Sequence, residues 1–311
     1  MTVSIGVLWD YEIDHEGDEP MKKDDGNRSY ARFSELAADE NAEVYMANYR
    51  KYSDGKLSES YKWNGENWER KKDIELDVVF DKFKFDETTV ELKKNIQSEL
   101  PMLNAFGLEE VCKDKLLTYQ SFPEFVPETA LADKETVRKV LEKDGKAILK
   151  PRFGSEGMEV RLIDSLEEFE PADNLLVQRY VDPSGGTPHF DFEGAHDFRV
   201  MIADGEPVAC YYRLNEASDL ANVSMGGSRK FVDVDEIPET VLDLIETVSN
   251  GFSELDHTMY SVDVMFDSEM NPWIIELSSK PGLVFDDEDS EKRKVPVMEK
   301  VIRMLVDMAQ S

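Results

Sequence analysis

Positive charge is scarce in this chain relative to negative charge. Among its 311 residues, 36 are lysine or arginine and 67 are aspartate or glutamate, so the formal net charge is −31. Nucleic acids and anionic membrane surfaces are polyanions that attract basic proteins. The charge balance therefore argues against both as partners. A dense acidic surface is also typical of proteins adapted to high salt, and the host's salt preference stays open on this point.

Cysteine and long apolar runs are also in short supply. Cys112 and Cys210 lie far apart and in no CxxC arrangement, so we expect reduced core residues and neither a disulfide nor a zinc site. No apolar run approaches the roughly 20 residues of a membrane span. The first residues lack the basic flank and apolar centre of a signal peptide. These features predict a soluble, cytoplasmic protein.

The first part of the chain has the pattern of a small α/β domain. Residues 28–40 repeat at helical spacing, and three apolar runs have the composition of buried strands: 3–9, 43–49 and 74–80. Two turn signals predict tight hairpins: Asp54-Gly55 and Asn64-Gly65. Aromatic residues flank the second turn, and we interpret them as hairpin packing. The domain is expected to end near residue 98.

The remainder alternates helical and strand patterns. Helical spacing recurs in four segments: 114–120, 133–144, 241–252 and 295–308. Strand patterns occur in five: 126–129, 147–151, 175–181, 197–203 and 207–213. Asp133 is a good amino-terminal cap for its helix, and Asp204-Gly205 joins the last two strands as a hairpin. A loop rich in glycine and proline spans residues 182–196.

Two further strand-like runs each carry one embedded acid, Asp263 in the first and Glu276 in the second. The polar turn 267–272 between them predicts a hairpin. A carboxylate inside a buried strand is costly unless something pairs with it. Two such acids on neighbouring strands favour a hard divalent cation with oxygen ligands, usually Mg²⁺. The alternative is that both acids simply face solvent.

A lysine precedes a flexible turn in the segment KPRFGSEG, residues 150–157. Backbone N–H groups of such a turn can approach phosphate oxygens closely, and Lys150 adds a positive charge. The spacing matches neither the GxxxxGK[ST] phosphate loop nor GxGxxG, so this signal is weak by itself. Lys115 lies upstream on a polar helix, where a lysine is ordinarily solvated.

In their order and spacing, the segments resemble the ATP-grasp superfamily, in its branch of ribosomal-protein-modifying and glutathione-synthetase-like carboxylate–amine ligases. The resemblance runs from about Asn104 to the end of the chain. Its matching segments are KDK (113–115), VPET (126–129), KPRFGSEG (150–157), VQRYV (177–181), DFRV (197–200), YR (212–213), NVSMGG (222–227), SVDV (261–264) and ELSSKPG (276–282).

The resemblance implies a fold of the α/β (α+β) class. Two α+β subdomains would grip a nucleotide, preceded by a small Rossmann-like α/β domain. The expected boundaries are 1–98 for the first domain, 99–181 for the subdomain with the phosphate loop and 182–311 for the subdomain with the metal site. The Trp and Tyr hairpin of the first domain is similar to that of spore-coat-associated relatives, which is an analogy of fold only.

The resemblance also implies a role for particular residues. Residues expected to bind the nucleotide are Lys115, Lys150, Ser155, Gln178, Arg179, Tyr180, Val181, Asp197 and Asn222. The metal would be held by Asp263, Glu276 and Ser278. The residues expected to act on the transferred phosphoryl group and the substrate carboxylate are Arg199, Arg213 and Lys150. Asp197 and Arg199 are two apart on one strand and so share a face.

The implied reaction joins a carboxylate to an amine at the expense of ATP, through an acyl phosphate. The expected cofactors are ATP and Mg²⁺, with Mn²⁺ as a second candidate ion, and the substrates would be small molecules, with an amino acid or peptide among them. Homodimers are common in the branch, so a homodimer is an expectation. The main alternative function is an ATP-binding sensor or scaffold of this fold without ligase turnover, and a third is a ligase of the same fold that uses a thiol or hydroxyl acceptor.

Three positions depart from the branch. Ser278 stands where the branch usually has asparagine, which predicts weaker or rearranged metal binding, since serine still offers one oxygen. Lys280 occupies a position more often small, and is expected to place an extra cation at the substrate mouth. Glu159 replaces the usual final glycine of the phosphate loop, which is expected to stiffen that loop.

One constellation lies outside the family pattern. It comprises His189, Asp191, Glu193 and His196, which are ligand types suited to zinc. A substrate lid formed by the loop 182–196 is the preferred interpretation, and an independent metal site is the alternative.

Overall fold

The computed structural model describes residues 2–10, 13, 16–154, 159–192, 195–215 and 228–311. The described chain divides into two compact units, each assembled from separate segments. The first unit comprises residues 1–109, 255–259 and 280–311, and the second comprises residues 110–254 and 260–279. The predicted boundaries at residues 98 and 181 stay a prediction.

The strands, in chain order, are β1 (Val3–Trp9), β2 (Ala42–Asn48), β3 (Tyr52–Ser53), β4 (Lys56–Leu57), β5 (Ser60–Trp63), β6 (Trp68–Lys71), β7 (Ile74–Glu75), β8 (Val78–Asp81), β9 (Met102–Leu103), β10 (Thr129–Leu131), β11 (Ala147–Pro151), β12 (Arg161–Ile163), β13 (Leu175–Arg179), β14 (Ala195–Ala203), β15 (Glu206–Asn215), β16 (Ser228–Val232), β17 (Met259–Phe266) and β18 (Pro272–Ser278). The helices are α1 (Asp24–Asp39), α2 (Val90–Glu99), α3 (Phe106–Lys113), α4 (Lys115–Ser121), α5 (Lys134–Asp144), α6 (Glu239–Gly251) and α7 (Glu288–Gln310).

The main sheet of the first unit has the order β6-β5-β2-β1-β8-β9. Its centre is parallel: β1 pairs with β2 and β8, and β8 pairs with β9. Parallel strands buried on both faces read as nearly continuous apolar runs, which is the pattern of β1. Helices α1 and α7 pack against each other, and α7 also packs on β1 and β8. The predicted strand 3–9 is confirmed, while the Rossmann-like character of this unit stays a prediction.

The predicted single strand 74–80 is wrong, because this segment serves two sheets. β7 pairs with β4 in a small sheet of order β3-β4-β7, whereas β8 pairs with β1. Between them, the N–H of Leu76 donates to the carbonyl of Gly55 and that of Asp77 to the carbonyl of Ser4. Gly55 lies in the turn between β3 and β4, whereas Ser4 lies in β1, so the strand breaks where it changes partner.

Both tight turns of the first unit occur where the sequence predicts them. Asp54 and Gly55 have φ of 49° and 75°, so both adopt the left-handed conformation that a two-residue hairpin loop requires. The second turn connects β5 to β6 and brings Trp63 directly opposite Trp68. The predicted aromatic hairpin is confirmed.

The second unit contains two sheets built mainly from antiparallel strand pairs. The first has the order β10-β13-β11-β12, with α5 packed on it around Val137, Leu149 and Val177. Asp133 caps α5, since its carboxylate accepts from the N–H groups of Glu135 and Thr136. The predicted helix with its cap is confirmed, and β10 lies at the sheet edge as expected.

The second sheet of this unit has the order β16-β15-β14-β17-β18. The hairpin β14–β15 turns at Asp204 and Gly205, whose φ values are 52° and 76°, and this places Asp197 opposite Arg213. The hairpin β17–β18 places Asp263 opposite Glu276. The sheet therefore carries the acids and arginines that the sequence singles out.

Candidate active site

The two embedded acids lie side by side on one face of the β17–β18 hairpin. In antiparallel strands, directly opposite residues have Cβ atoms about 4.5–5.5 Å apart, within reach of one shared cation. Ser278 pairs with Ser261 two positions further along, so it lies on the face of Asp263 and Glu276. Carboxylate and hydroxyl oxygens are the donors that Mg²⁺ prefers, so this residue set fits the ion.

Asp263 is also held by two arginines. Arg199 makes a two-point ion pair with it, with Nε to Oδ1 at 2.6 Å and Nη2 to Oδ2 at 2.7 Å. The Nη2 of Arg213 donates to the same Oδ2. Arg213 also donates to Asp197, with Nε to Oδ1 at 2.7 Å and Nη2 to Oδ2 at 2.8 Å. The four residues form one charge network across β14, β15 and β17.

The pKa values of the two acids in this network shift in opposite directions. Burial raises the pKa of Asp197 to about 7, and the negative charge of Asp263 adds to this effect against the opposing charge of Arg213. Burial also disfavours the charged form of Asp263, but Arg199 and Arg213 outweigh it and hold the pKa of Asp263 below its usual value. Asp263 is thus the carboxylate that stays ionised, and Asp197 is the one that takes up a proton first.

Lys150 is a buried cation held by its neighbours on the other sheet. Its Nζ donates to Oε1 of Gln178 at 2.9 Å, and Nε2 of Gln178 donates to Oγ1 of Thr129 at 2.8 Å. Burial lowers the pKa of Lys150 to about 7, and the charge of Lys115 adds to this while that of Glu276 opposes it. Because burial disfavours the charged form of Lys150, an anion bound beside it would stabilise that form.

Lys115 lies at the start of α4, next to the turn that follows Lys150. Its Nζ donates to the carbonyl of Gly154 at 2.8 Å, and its backbone N–H donates to the carbonyl of Arg152 at 3.2 Å. Burial lowers its pKa, and Glu276 acts in the opposite direction. Lys115 is thus a cation beside the turn and not an ordinary solvated lysine.

Sequence reasoning missed the role of Asp114. Its carboxylate caps α4 by accepting from the N–H groups of Leu116 and Leu117. It also accepts from Arg152, with Nε at 2.7 Å and Nη2 at 2.5 Å, and so ties the helix of Lys115 to the turn. An aspartate directly before a helical pattern is the signal that could have identified the cap.

Lys115, Lys150 and Glu276 line one cleft of the second unit, together with Cys112, Thr118, Val126, Ile274, Ile275 and Leu277. The structure thus brings the predicted phosphate-binding lysines next to the predicted metal ligand. Cys112 and Cys210 are both buried, as expected of reduced core residues.

Residues 178–181 lie at the end of β13, in the sheet that also carries Lys150. β13 ends at Arg179, so Tyr180 and Val181 lie past the paired part of the strand. The guanidinium of Arg179 lies 4.2 Å from the ring centroid of Trp273, and Val181 is buried. Two predicted nucleotide ligands, Ser155 and Asn222, lie outside the described residues.

Two of the family departures have a visible consequence. Glu159 has a φ of 63°, the left-handed conformation that glycine adopts without strain. Lys280, in the first unit, donates to Glu109 and to the carbonyl of Phe83, and its Nζ lies 3.2 Å from Asp81. The buried Lys93 joins the same acids. The expected extra cation at the substrate mouth is therefore wrong, since Lys280 is neutralised inside a buried cluster.

The histidine constellation is not a zinc site in the described part of the chain. Both ring nitrogens of His189 are engaged, Nδ1 with Tyr212 Oη at 2.8 Å and Nε2 with the carbonyl of Glu236 at 2.9 Å. Among the described residues, no group of three or more His, Cys, Asp or Glu is arranged to hold a metal, and Glu193 lies outside them. His189 instead anchors its loop to β15.

Comparison with protein families gives two matches. Residues 114–271 match the family described as "Prokaryotic glutathione synthetase, ATP-grasp domain", and residues 236–311 match the "Tubulin-tyrosine ligase family". The first match covers both lysines of the cleft and the whole arginine network. In the described chain, no helix has both the length and the apolar character needed to cross a membrane.

The curated relatives that match this chain are also glutathione synthetases. The glutathione synthetase of Synechocystis sp. is 28% identical over 132 residues, which is 39% of this chain and 38% of that protein. The chain spans less than half the length of the curated relatives it matches.

Among solved structures, D-alanyl-alanine synthetase A from Vibrio cholerae has a TM-score of 0.66 at 12% identity, covering 100% of this chain and 99% of that one. A Chryseobacterium gregarium RiPP-associated ATP-grasp ligase, in complex with ADP and a leader and core peptide, has a TM-score of 0.63 at 13% identity, covering 98% and 97%. These similarities show that the chain has the ATP-grasp fold.

Proposed function

Because the chain belongs to the prokaryotic glutathione synthetase ATP-grasp family, we propose that it is an ATP- and Mg²⁺-dependent ligase that joins a carboxylate to an amine. One observation carries the proposal. Two lysines with lowered pKa line a cleft with Glu276, while the opposing strand holds Asp263 against Arg199 and Arg213. That is the inventory needed to neutralise a phosphoryl group in transfer.

ATP is the proposed phosphoryl donor. Lys115 and Lys150 contact its phosphates, because the amine of Lys115 lies at the turn after β11, Lys150 lines the same cleft, and burial makes both gain from an anion. Asp114 and Arg152 keep that turn in place. By family resemblance, the backbone of 178–181 receives the adenine, while Ser155, Asp197 and Asn222 complete the nucleotide site.

The substrate carboxylate attacks the γ-phosphate, giving ADP and an acyl phosphate, and an amine then displaces phosphate to form the amide. Such a reaction requires alignment and charge stabilisation and no protein nucleophile. Arg199 and Arg213 stabilise the charge that develops on the phosphoryl oxygens and orient the carboxylate. Two-point guanidinium geometry suits both groups.

Mg²⁺, with Mn²⁺ as the second candidate, would be held by Asp263, Glu276 and Ser278 and would screen charge between phosphates. Both oxygens of Asp263 accept from arginine in this structure. An ion held there would therefore share the carboxylate of Asp263 with the arginine donors, since a carboxylate offers about four lone-pair sites. The predicted weakening of metal binding follows from Ser278 because its hydroxyl offers the ion a single oxygen.

The substrates we propose are an amino acid or a peptide together with an amine. Support comes from the relatives, named for glutathione and D-alanyl-alanine synthesis and for a ligase bound to a leader and core peptide. A cytoplasmic location and a homodimer stay predictions of the sequence.

ADP release tests the proposal. The chain is incubated with ATP and Mg²⁺ and a panel of amino acids, short peptides and dicarboxylates, at low and at multimolar salt. Release that requires both a carboxylate and an amine, with an amide detected by mass spectrometry, is the expected result. Release that does not depend on any added carboxylate would contradict it.

The second candidate is an ATP-binding sensor or scaffold without turnover. The observation in its favour is that Asp263 is closed off by two arginines while Ser278 replaces a stronger ligand. It predicts ATP binding without stimulated ADP release anywhere in the panel. Calorimetric ATP binding measured beside the release assay separates the two functions.

A further inference from the structure

The first unit contains a cavity of about 560 Å³ between α1, the β5–β6 hairpin and the start of α7. Its lining residues include none of those assigned above to nucleotide, metal or catalysis in the described chain. The volume is in the range of small-molecule pockets, roughly 300–1,000 Å³. The cavity is therefore large enough to receive an organic group.

Two indoles form one wall. Trp63 and Trp68 lie opposite each other in the hairpin and so on one face, with ring centroids 5.5 Å apart and ring planes inclined by 58°. The Nε1 of Trp63 donates to Oε1 of Glu35 at 3.3 Å, which fixes the ring toward α1. The face of an indole carries the negative part of its quadrupole and attracts cations.

Carboxylates are the most numerous kind of group among the other lining residues. The acidic lining residues are Glu19, Asp24, Glu35 and Glu291, against two basic ones, Arg28 and Arg32. Glu19 accepts from the neutral side chain of Asn27 at 2.8 Å, so its charge is not cancelled by that partner. The lining residues thus carry more negative than positive charge, apart from the negative faces of the indoles.

Both arginines are already opposed by acids. Arg32 lies 3.2 Å from Glu35, and Arg28 lies 3.5 Å from Asp25, which is outside the lining. Arg28 also donates to the carbonyl of Phe285 at 3.3 Å and rests over its ring. The excess charge of the cavity therefore lies on Glu19, Asp24 and Glu291.

From this juxtaposition of paired indoles and excess carboxylates, we propose that the cavity binds an organic cation, an alkylammonium or guanidinium group of the kind carried by lysine and arginine. The net charge of −31 draws such cations to the protein. The proposal does not rest on the proposed ligase function, because neither ATP nor a residue of the candidate active site takes part.

Binding is tested without ATP. N-acetyl-lysine amide and N-acetyl-arginine amide are titrated by calorimetry and by tryptophan fluorescence, beside N-acetyl-norleucine amide as the uncharged analogue of lysine. Saturable binding of the cations that weakens with salt, and no binding of the norleucine compound, is the expected result. The peptide Gly-Lys-Gly, run in parallel, tells whether a side chain within a peptide is accepted as well as a free amino-acid derivative.

Equal binding of the norleucine compound, or preferential binding of N-acetyl-norleucine with a free carboxylate, would overturn the proposal. The second result would mean that Arg28 and Arg32 make this an anion site.

Variants locate the site. Trp63→Leu should weaken cation binding on the order of ten-fold through loss of the indole face. Glu19→Gln should weaken it several-fold while keeping an oxygen to accept from Asn27, so folding is retained. Glu66→Gln, in the turn of the same hairpin but outside the lining, is the matched control and should bind as the unaltered chain does. Unchanged binding in both Trp63→Leu and Glu19→Gln, with circular dichroism confirming the fold, would refute the assignment.

Discussion

Arg199 grips the carboxylate of Asp263 with both of its donors, Nε to Oδ1 at 2.6 Å and Nη2 to Oδ2 at 2.7 Å. Asp263 is almost completely buried, and the side chain of Arg199 is 15% exposed. The candidate metal ligand is therefore also the counterion of the candidate catalytic arginines. Changes at this acid should affect both stability and activity.

Asp263→Asn should destabilise the chain and abolish ADP release. The amide removes the charge that compensates two buried guanidinium groups and turns one donor toward them. Loss of one partner of a buried pair costs about 3–5 kcal/mol. Urea unfolding measures the change in the free energy of unfolding. Glu269→Gln, an exposed acid in the β17–β18 turn, is the control, and an equal loss in both variants would contradict the special role of Asp263.

Glu276→Ala should abolish ATP turnover and leave the fold intact. Glu276 is half-buried at the cleft with Lys115 and Lys150, so its removal takes away a metal ligand without opening the core. ADP release and thermal unfolding are measured side by side, with Glu269→Ala as the control. Unchanged turnover in Glu276→Ala would refute the metal assignment.

ATP affinity should fall as pH rises above 7. The pKa of Lys150 is lowered to about 7, so its amine is charged below that pH and mostly neutral above it. Phosphates bind the charged form, and binding above pH 7 must therefore draw a proton from solvent. The loss can reach about ten-fold per pH unit.

Calorimetry between pH 6 and 9, in buffers of different ionisation enthalpy, measures both the affinity and the proton uptake. Lys150→Arg is the matched control, because a guanidinium stays charged throughout this range. The same pH dependence in Lys150→Arg would show that another group, such as Asp197, is responsible.

Glu159→Gly should stabilise the chain by about 0.5–1 kcal/mol, because glycine removes the steric cost of a left-handed conformation at a φ of 63°. It should also loosen the phosphate loop and change the Michaelis constant for ATP. Urea unfolding and steady-state ADP release are the measurements. Glu167→Gly, in the helical turn 166–168 of the same unit, is the control and should destabilise instead.

Much of the local structure could be predicted because its causes are local. The turn at Asp204-Gly205 needs two residues that tolerate positive φ, and the cap at Asp133 needs one carboxylate next to two N–H groups. The hairpin of Asp263 and Glu276 follows similarly from strand composition and a polar turn. In each case the deciding residues are neighbours in the chain.

The limits of such reasoning appear at Ile74–Glu75 and at Lys280. The composition of residues 74–80 predicts one continuous strand. In the structure, Ile74–Glu75 pairs with β4, whereas β8 pairs with β1. By its position in the sequence Lys280 is expected to be an extra cation, yet it meets Glu109, 171 residues away in sequence, and Asp81, which is still more distant in sequence. Neither pairing can be inferred before the tertiary structure is known.

The sequence by itself determined many of the longer strands, the turns, the family and the set of acids, lysines and arginines available for chemistry, because these depend on residue type and near neighbours. Only the tertiary structure decided which charges meet. It joined Arg199 and Arg213 to Asp263 across 64 and 50 residues, and Lys150 to Gln178 across 28. Those pairings arise from sheet register, and burial in the sheet is what moves the pKa values of Lys150 and Asp197 toward neutrality.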